Sequence, residues 1–475
     1  MNRCSAVFVL TIAASAAPPQ VAPTPPMGWN SCGVYGDSVR EDEVRANADY
    51  VATHLHSHGY EYVVIDMAWY IGGGNCGQTA KLHLDEWGRY VPSACEFPSA
   101  GEGRGFKPLA DYIHSKGLKF GFHIMRGISR QAVEQNTPIL NSRFKAGDVA
   151  DKSSVCPWYS PRNPRTYGID ATKPGAQDWY DSIIRQYAEW GVDFLKVDDI
   201  SYPYHAAEIE MIHRAIEHSG RPIALSLSPG PAPVTSAEHV KQNANMWRIS
   251  VDLFDDWKNP REFIGLSPTT GKPTADVVDI WQGQMEPSWG SLYYHFDLFD
   301  RWSAHAGPGH WPDGDFLVFG RLGTRNSQYG GKDHWTRLTH DEQRTLMTLW
   351  AMARSPLFFT GELRDNDDWT LNLITNDEVL DITKRSRNNH QLFRKGDSIA
   401  WTAECPDGAC KYLALFNASD ESAKVDARLP QLGCSKGCTV RDLWQHADVA
   451  PSVVGDFIPA HGSRLFRLEL HKRTN

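Results

Sequence analysis

Two aspartates, Asp198 and Asp252, close two short apolar runs that each carry a cation: Phe194-Leu195-Lys196-Val197-Asp198-Asp199 and Met246-Trp247-Arg248, with Asp252 four residues on. Two carboxylates working without a cofactor are what glycoside hydrolysis requires, one as nucleophile or base and one as acid. Strand alternation puts Lys196 on the same face as Asp198, where an ammonium would keep the carboxylate ionised and fit for attack. Asp252 stands among Trp247, Leu253 and Phe254, an apolar setting that favours the protonated acid. Asp255 and Asp256 are rivals for the acid role; capping a helix or meeting surface water is their other reading. Asp198 and Asp199 have a structural alternative too, as caps of the next helix.

The elements around these residues must place them at one point. Trp179, Ile183, Ile184, Tyr187 and Trp190 recur at helical spacing over 176–190, and Gly191 stops the helix before the strand that ends in Asp198. The same alternation runs from Pro26 to about Thr383. Strands are expected at Met27–Ser31, Tyr62–Ile65, Lys119–Met125, Phe194–Val197, Ile223–Leu227, Met246–Ser250, near Ala304–Trp311 and at Pro356–Phe359, with helices over 41–56, 106–116, 176–190, 205–218, 236–243 and 340–353. Eight such strands predict a (β/α)8 TIM barrel over residues 27–388, whose strand tips converge on one pocket. A doubly wound open sheet is the alternative, but Gly72-Gly73-Gly74 opens no helix and does not resemble a dinucleotide turn. Short alternating strands between 391 and 468 predict a C-terminal antiparallel β-sandwich domain, residues 389–475. On this layout Asp198 and Asp252 end strands four and six. With neighbouring strands about 4.8 Å apart, that favours the roughly 5–5.5 Å separation of a retaining pair over the roughly 6.5–9.5 Å of an inverting one.

The other strand tips offer Trp29, Asp66, His123 with Arg126, Ser226 with Ser228, and Asp313 with Asp315. Carboxylates and cations grip hydroxyl groups, and an indole face stacks on the apolar side of a sugar ring. Each has a second reading. Trp29 could plug the barrel mouth and His123 could be a satisfied core histidine. At least one of Asp313 and Asp315 is expected to be structural. Arg126 is hard to bury idly, which favours a ligand or carboxylate contact. The long segment from Tyr70 to about Gly105 is expected to form a wall of the site.

The chain of 475 residues, 48 of them Lys or Arg and 57 Asp or Glu, has a net charge of −9 and no basic stripe, which argues against nucleic acid. No apolar run reaches membrane-spanning length. Residues 1–17, with Arg3, the apolar run Ala6–Ala14 and Ala14-Ser15-Ala16, read as a secretory signal, and 18–26 as a Pro-rich new N-terminus. Export to the periplasm or the medium is therefore expected. Nine cysteines fit it: without Cys4 the number is even, Cys405/Cys410 and Cys434/Cys438 are close pairs, and Cys76 and Cys95 bracket a Gly-rich loop. Metal binding is the competing reading of these pairs, but His ligands at zinc spacing are missing, so neither metal nor cofactor is expected. Asn417-Ala418-Ser419 is a glycosylation sequon, relevant only in a eukaryotic host. The oligomeric state is not legible.

The ordered segments Met27-Gly28-Trp29-Asn30-Ser31, Val64-Ile65-Asp66, Gly117-Leu118-Lys119-Phe120-Gly121, Trp190 to Asp198, Trp247-Arg248 with Asp252, and Arg354-Ser355-Pro356-Leu357 resemble glycoside hydrolase family 27, the α-galactosidase and α-N-acetylgalactosaminidase group. The resemblance spans Met27 to about Asp381 and extends to the β-domain. It implies retaining double displacement without a cofactor on an oligosaccharide or polysaccharide, with Asp198 as nucleophile and Asp252 as acid/base. It also implies that Trp29, Asp66, Lys196 and Arg248 hold the sugar, and His123, Arg126, Ser228 and Asp315 are expected to join them. Departures fall on the sugar-reading positions. The family's second acid after strand two is Met67, its aromatic residue near the end of strand three is His123, the run after strand five is Ser228-Pro229-Gly230, and the cysteine after the nucleophile strand is Ile200. The leading expectation is release of terminal α-galactosyl-type sugars. A β-L-arabinopyranosidase, an isomalto-type α-glucosidase and a non-catalytic carbohydrate-binding barrel are the alternatives.

Overall fold

The computed structural model describes residues 20–71, 82–156, 166–258, 290–325, 332–434 and 438–470. The expected signal segment, Cys4 and Cys76 lie outside them. Eight parallel strands build the first part: β1 (Met27–Asn30), β2 (Tyr62–Ile65), β3 (Lys119–Met125), β4 (Phe194–Asp198), β5 (Ala224–Leu227), β6 (Met246–Arg248), β7 (Trp311–Asp313) and β8 (Leu357–Phe359). They pair in the order β7-β6-β5-β4-β3-β2-β1-β8, and a parallel bridge between Leu317 and Phe359 closes the ring. Nearly every residue in these strands is buried, as expected where helices cover a parallel sheet.

The covering helices follow the strands: α1 (Glu41–Tyr50), α2 (Lys107–Ser115), α3 (Ala176–Trp190), α4 (Ala206–Ser219), α5 (Ala237–Asn243), α6 (Leu292–Trp302), α7 (His340–Ala353) and α8 (Asp377–Arg385). Helix α3 buries Trp179, Tyr180, Ile183, Ile184, Tyr187 and Trp190. Gly191 caps it at φ 86°, a left-handed conformation natural to glycine, and turns the chain into β4. The Asp193 carboxylate then ties down the start of the strand: it accepts from the Phe120 N–H at 2.9 Å and pairs with Arg221 at 2.5 Å and His114 at 2.7 Å. Gly121 lets β3 and β4 approach, because a Cβ there would sit 2.6 Å from the Phe194 carbonyl oxygen.

Two boundaries differ from expectation. Strand β7 is only three residues long, starts at Trp311 and contains Pro312, while Ser303–His305 form a helical turn, so periodicity had little to register. The helix expected over 41–56 is regular only to Tyr50 and then loosens into a wider turn over Val51–Leu55.

The C-terminal strands β9 (Arg387–Lys395), β10 (Ser398–Glu404), β11 (Cys410–Asn417), β12 (Thr439–Asp442), β13 (Ala447–Val449) and β14 (Ser463–Glu469) form one antiparallel sheet in the order β9-β10-β11-β14-β12-β13. A two-stranded ribbon, Ala423–Lys424 with Phe457–Ile458, stands apart from it. Period-two alternation buries both faces of this sheet. Ala400, Leu413, Leu415, Phe466 and Leu468 form its own core. Trp401, Ala414, Phe416 and Leu465 join the barrel core instead, with Phe416 meeting Phe296 of α6 at 5.0 Å between ring centroids. Cys405–Cys410 and Cys434–Cys438 are disulfides, and Cys95 is disulfide-bonded as well. The expected sequon residue Asn417 is 1% exposed and donates its amide to the carbonyls of Glu421, Ile458 and Pro459, so its nitrogen is not presented for glycosylation. Among the described residues no helix is long and apolar enough to cross a membrane.

Candidate active site

The C-terminal ends of β2, β4 and β6 and the segment after β7 meet in one small pocket lined by Asp66, Lys196, Asp198, Asp252 and Asp315, together with Cys32, Met67, Phe254 and Phe316. The expected carboxylates therefore converge. Their pairing differs from expectation.

Lys196 does not bind Asp198 directly. Its Nζ lies 3.0 Å from Asp66 Oδ2, which also accepts from Asn30 Nδ2 at 2.9 Å, and Phe316 covers the ammonium at 4.8 Å from its ring centroid. Burial pushes the Asp66 carboxyl up, but Lys196, His123 and Asn30 outweigh it and hold the group far below the usual carboxylate range. The direct partner of Asp198 is His123, whose Nε2 lies 3.1 Å from Oδ2, while the Asp199 N–H donates to Oδ1 at 2.8 Å. Burial again works upward. The His123 hydrogen bond and charge, Lys196 at longer range and the Asp199 N–H bring the net shift of Asp198 downward. His123 itself is 1% exposed, and Trp69 Nε1 donates to its carbonyl at 2.7 Å, fixing β3 at this point. It acts on the site through Asp198.

Arg248, also fully buried, reaches two carboxylates, Asp315 at 2.8 Å and Asp252 at 3.2 Å, and donates to the Val251 carbonyl at 2.6 Å. The Asp252 side chain is 58% exposed among the described residues, so the apolar setting expected from its sequence neighbours is not found; Arg248 and solvent are what it meets. Trp247 and Leu253 point into the core instead. Asp315 is buried and accepts the Leu253 N–H at 2.7 Å, tying down the backbone beside Asp252. Burial, with the charges of Asp252 and Asp313 set against Arg248, raises its carboxyl to about 7. The rival acid Asp255 is fully buried between Arg337 and His334. Asp256 accepts the Lys258 N–H at 3.2 Å. Asp252 remains as the acid that faces the pocket.

Five expected sugar contacts do not line the pocket: His123 and Arg248 reach its carboxylates instead, and three others lie elsewhere. Trp29 is fully buried with its indole N–H on the Gly361 carbonyl at 2.9 Å, which is the barrel-plug reading. Ser228 is 1% exposed and contributes backbone only, its N–H to Val197 and its carbonyl to the Ile200 N–H. Arg126 is 2% exposed, and its guanidinium is committed to Asp199, Glu208 and Ser154. Of the apolar lining residues, Met67 was marked in the sequence only as a departure from the family pattern and Phe254 only as a neighbour of Asp252, while Phe316 was not singled out, although each follows a strand-tip acid by one or two positions. An apolar wall opposite carboxylates is what a pyranose, with one polar rim and one apolar face, requires.

Sequence and structure comparisons show the family to which this fold belongs. A sequence model described as "Alpha galactosidase A" matches residues 166–272 and 264–385, and one for the "Alpha galactosidase C-terminal beta sandwich domain" matches residues 395–468. A family 27 β-L-arabinopyranosidase from Geobacillus stearothermophilus is similar at 45% identity and a TM-score of 0.84, over 96% of this chain and 98% of that one. The chain belongs to glycoside hydrolase family 27. Within the family, the α-galactosidase of Cyamopsis tetragonoloba is 29% identical over 94% of this chain and 86% of its own length. α-Galactosidase I from Mortierella vinacea, at 24% identity and a TM-score of 0.66, shares the fold. The protein is thus a glycoside hydrolase built as a (β/α)8 barrel with a C-terminal β-sandwich, and a purely carbohydrate-binding barrel is set aside.

Proposed function

We propose that this family 27 enzyme is a secreted, retaining exo-glycosidase that releases terminal β-L-arabinopyranose and accepts α-galactosides less well. The observation that carries the glycone is Met67 in the pocket wall beside Asp66. α-D-Galactopyranose and β-L-arabinopyranose present the same ring hydroxyls and differ by the hydroxymethyl group at C5. A thioether takes almost no hydrogen bond from that group, whereas an acid at this position would grip it. The 45% identity to a β-L-arabinopyranosidase, against 29% to a plant α-galactosidase, supports the same reading.

In this mechanism Asp198, kept ionised by His123 and Lys196, attacks the anomeric carbon while Asp252 protonates the departing oxygen. Asp252 then takes a proton from the water that hydrolyses the glycosyl-Asp198 ester. Asp66 and Lys196 hold ring hydroxyls, and Phe316 and Phe254 meet the apolar face. The test is release of p-nitrophenol from β-L-arabinopyranoside, α-galactoside and α-glucoside in parallel, followed through the first turnover by NMR. The arabinopyranoside should give the highest kcat/KM and a product of unchanged anomeric configuration, and Asp198→Ala should abolish release. A higher kcat/KM on α-galactoside would return the glycone to galactose, and an inverted product would remove the nucleophile role. In Asp252→Ala, activated aryl glycosides should lose less than natural ones; equal losses would count against the acid/base role.

A further inference from the structure

Behind the nucleophile strand lies a buried ionic cluster that the reaction does not touch. Asp199 follows Asp198 in a left-handed backbone conformation, φ 58°, which non-glycine residues populate sparsely, Asp among the more tolerant, and which its contacts must therefore hold. From that conformation its N–H donates to Asp198 Oδ1 at 2.8 Å. Arg126, just past the end of β3, brackets this peptide from three directions. Its own N–H donates to the Asp198 carbonyl at 3.0 Å, its Nε donates to the Asp199 carbonyl at 2.5 Å, and the same Nε lies 3.0 Å from Asp199 Oδ2. The far side of the guanidinium is anchored on Glu208 of α4 at 2.8 Å and on Ser154 at 3.0 Å. Glu208 is held in turn by the Tyr180 hydroxyl of α3 at 2.5 Å.

We propose that Arg126 is a positioning residue for the nucleophile: by gripping Asp199 against the α3–α4 wall it holds the strained peptide whose N–H orients the Asp198 carboxylate. The proposal rests on the nucleophile role given to Asp198 above. A buried Arg with no carboxylate at the pocket and five fixed donors suits this task, since a guanidinium fork can fix a carbonyl, a carboxylate and an anchor at once. Lysine cannot.

The charged and titratable groups facing the clamp are Asp198, Asp199, Glu208, Tyr180 and Cys156, with His205 beside Arg126; those facing Asp198 are His123, Lys196 and, at longer range, Arg248. Arg126→Lys keeps the charge and loses the fork. In it we expect kcat to fall about 10- to 100-fold with KM changed less than about threefold, and the acid limb of the pH profile to move up by about half a unit as Asp198 loses its held donor. Glycine adopts the left-handed conformation without strain, so Asp199→Gly added to Arg126→Lys should recover a large part of the lost kcat. A merely structural arginine predicts no such rescue, no movement of the acid limb, and a fall in Tm alone; that result overturns the proposal. Should Arg126→Lys fail to fold, Glu208→Gln, which loosens the anchor, must show the same movement of the acid limb, and its absence overturns the proposal equally. A crystal structure of Arg126→Lys or Glu208→Gln reads the geometry without substrate: the Asp199 N–H should leave Asp198 Oδ1. That readout decides the clamp even if the wild-type enzyme releases none of the sugars, an outcome that would instead remove the proposed function.

Discussion

His123 Nε2 lies 3.1 Å from Asp198 Oδ2 across the β3–β4 seam, at a position where the strand register pairs His123 with Lys196 and Met125 with Asp198. The imidazole thus leans two residue pairs forward to reach the proposed nucleophile, while Lys196 turns to Asp66. One histidine and one lysine together hold two carboxylates ionised in the same pocket.

Removing the imidazole should therefore act on Asp198 through the lost hydrogen bond and on Asp66 at longer range. Asp198 sits below its ordinary pKa partly because of this contact, so activity that needs the carboxylate persists to lower pH. In His123→Phe the folded pKa rises, and activity should be lost at a higher pH on the acid side. We expect the acid limb of kcat/KM to move up by about one unit and kcat at its optimum to fall about tenfold or more. A pH–rate series on the two proteins checks both.

Lys196→Met should be a stability variant as well as an activity variant, because it leaves the Asp66 carboxylate buried without its ion pair. Losing one partner of a buried pair costs about 3–5 kcal/mol. The sign with pH follows from Asp66, whose folded pKa is depressed: the pair's stabilisation is present above the ordinary carboxylate range near about 4 and is lost as pH falls below it. The Tm difference between the two proteins should be largest near neutral pH and shrink in acid. Thermal melts in a pH series would show it, and a difference that grows in acid would contradict it.

Met67→Glu should place an acceptor beside Asp66, where a hydroxymethyl group of galactose could donate to it. One such hydrogen bond is worth about 1 kcal/mol. The ratio of kcat/KM for α-galactoside over β-L-arabinopyranoside is expected to rise about fivefold, measured on the paired p-nitrophenyl substrates.

The seam between the barrel and the β-sandwich carries its own pH dependence. His461, on the loop before β14, pairs with Glu342 of α7 at 2.7 Å and Asp420 at 2.9 Å, and stacks on Trp257 at 4.2 Å, close along the chain to Asp252. Burial pulls its pKa down, but the two carboxylates outweigh it and the folded value is raised. Its contribution is therefore fully present below about 6.5 and lost as pH rises through the folded value. His461→Gln should lower Tm at pH 5.5 by more than at pH 9 (test conditions of about these values), corresponding to roughly 1 kcal/mol at the acid end for a partly exposed pair.

Much of the barrel was legible because its signals are local. Apolar runs of three to five residues ending in Asp66, Asp198 or Arg248, and helices such as Ala176–Trp190 with a terminal glycine, announce themselves by composition and period. Strand β7 did not, being three residues long with a proline in it. In the site, charge marked the acids. Phe316 carried no such mark, and only its place beside Asp315 could have found it, whereas Met67 stood out only against the family pattern.

What the sequence by itself determined is which charged groups gather at the barrel mouth, the proposed catalytic pair Asp198 and Asp252 with Lys196 and Arg248 beside them, because residue type and strand period limit which side chains can reach it. Only the tertiary structure decided who pairs with whom. Lys196 chose Asp66, His123 took Asp198, Arg126 turned to Asp199 and Glu208, and Trp29 turned into the core with its indole N–H on Gly361. Alternation along one strand says which face a side chain leaves from. The partner it meets depends on the neighbouring strands and on how long side chains such as Lys196 and Arg126 bend once water is excluded, and that is a property of the packed barrel.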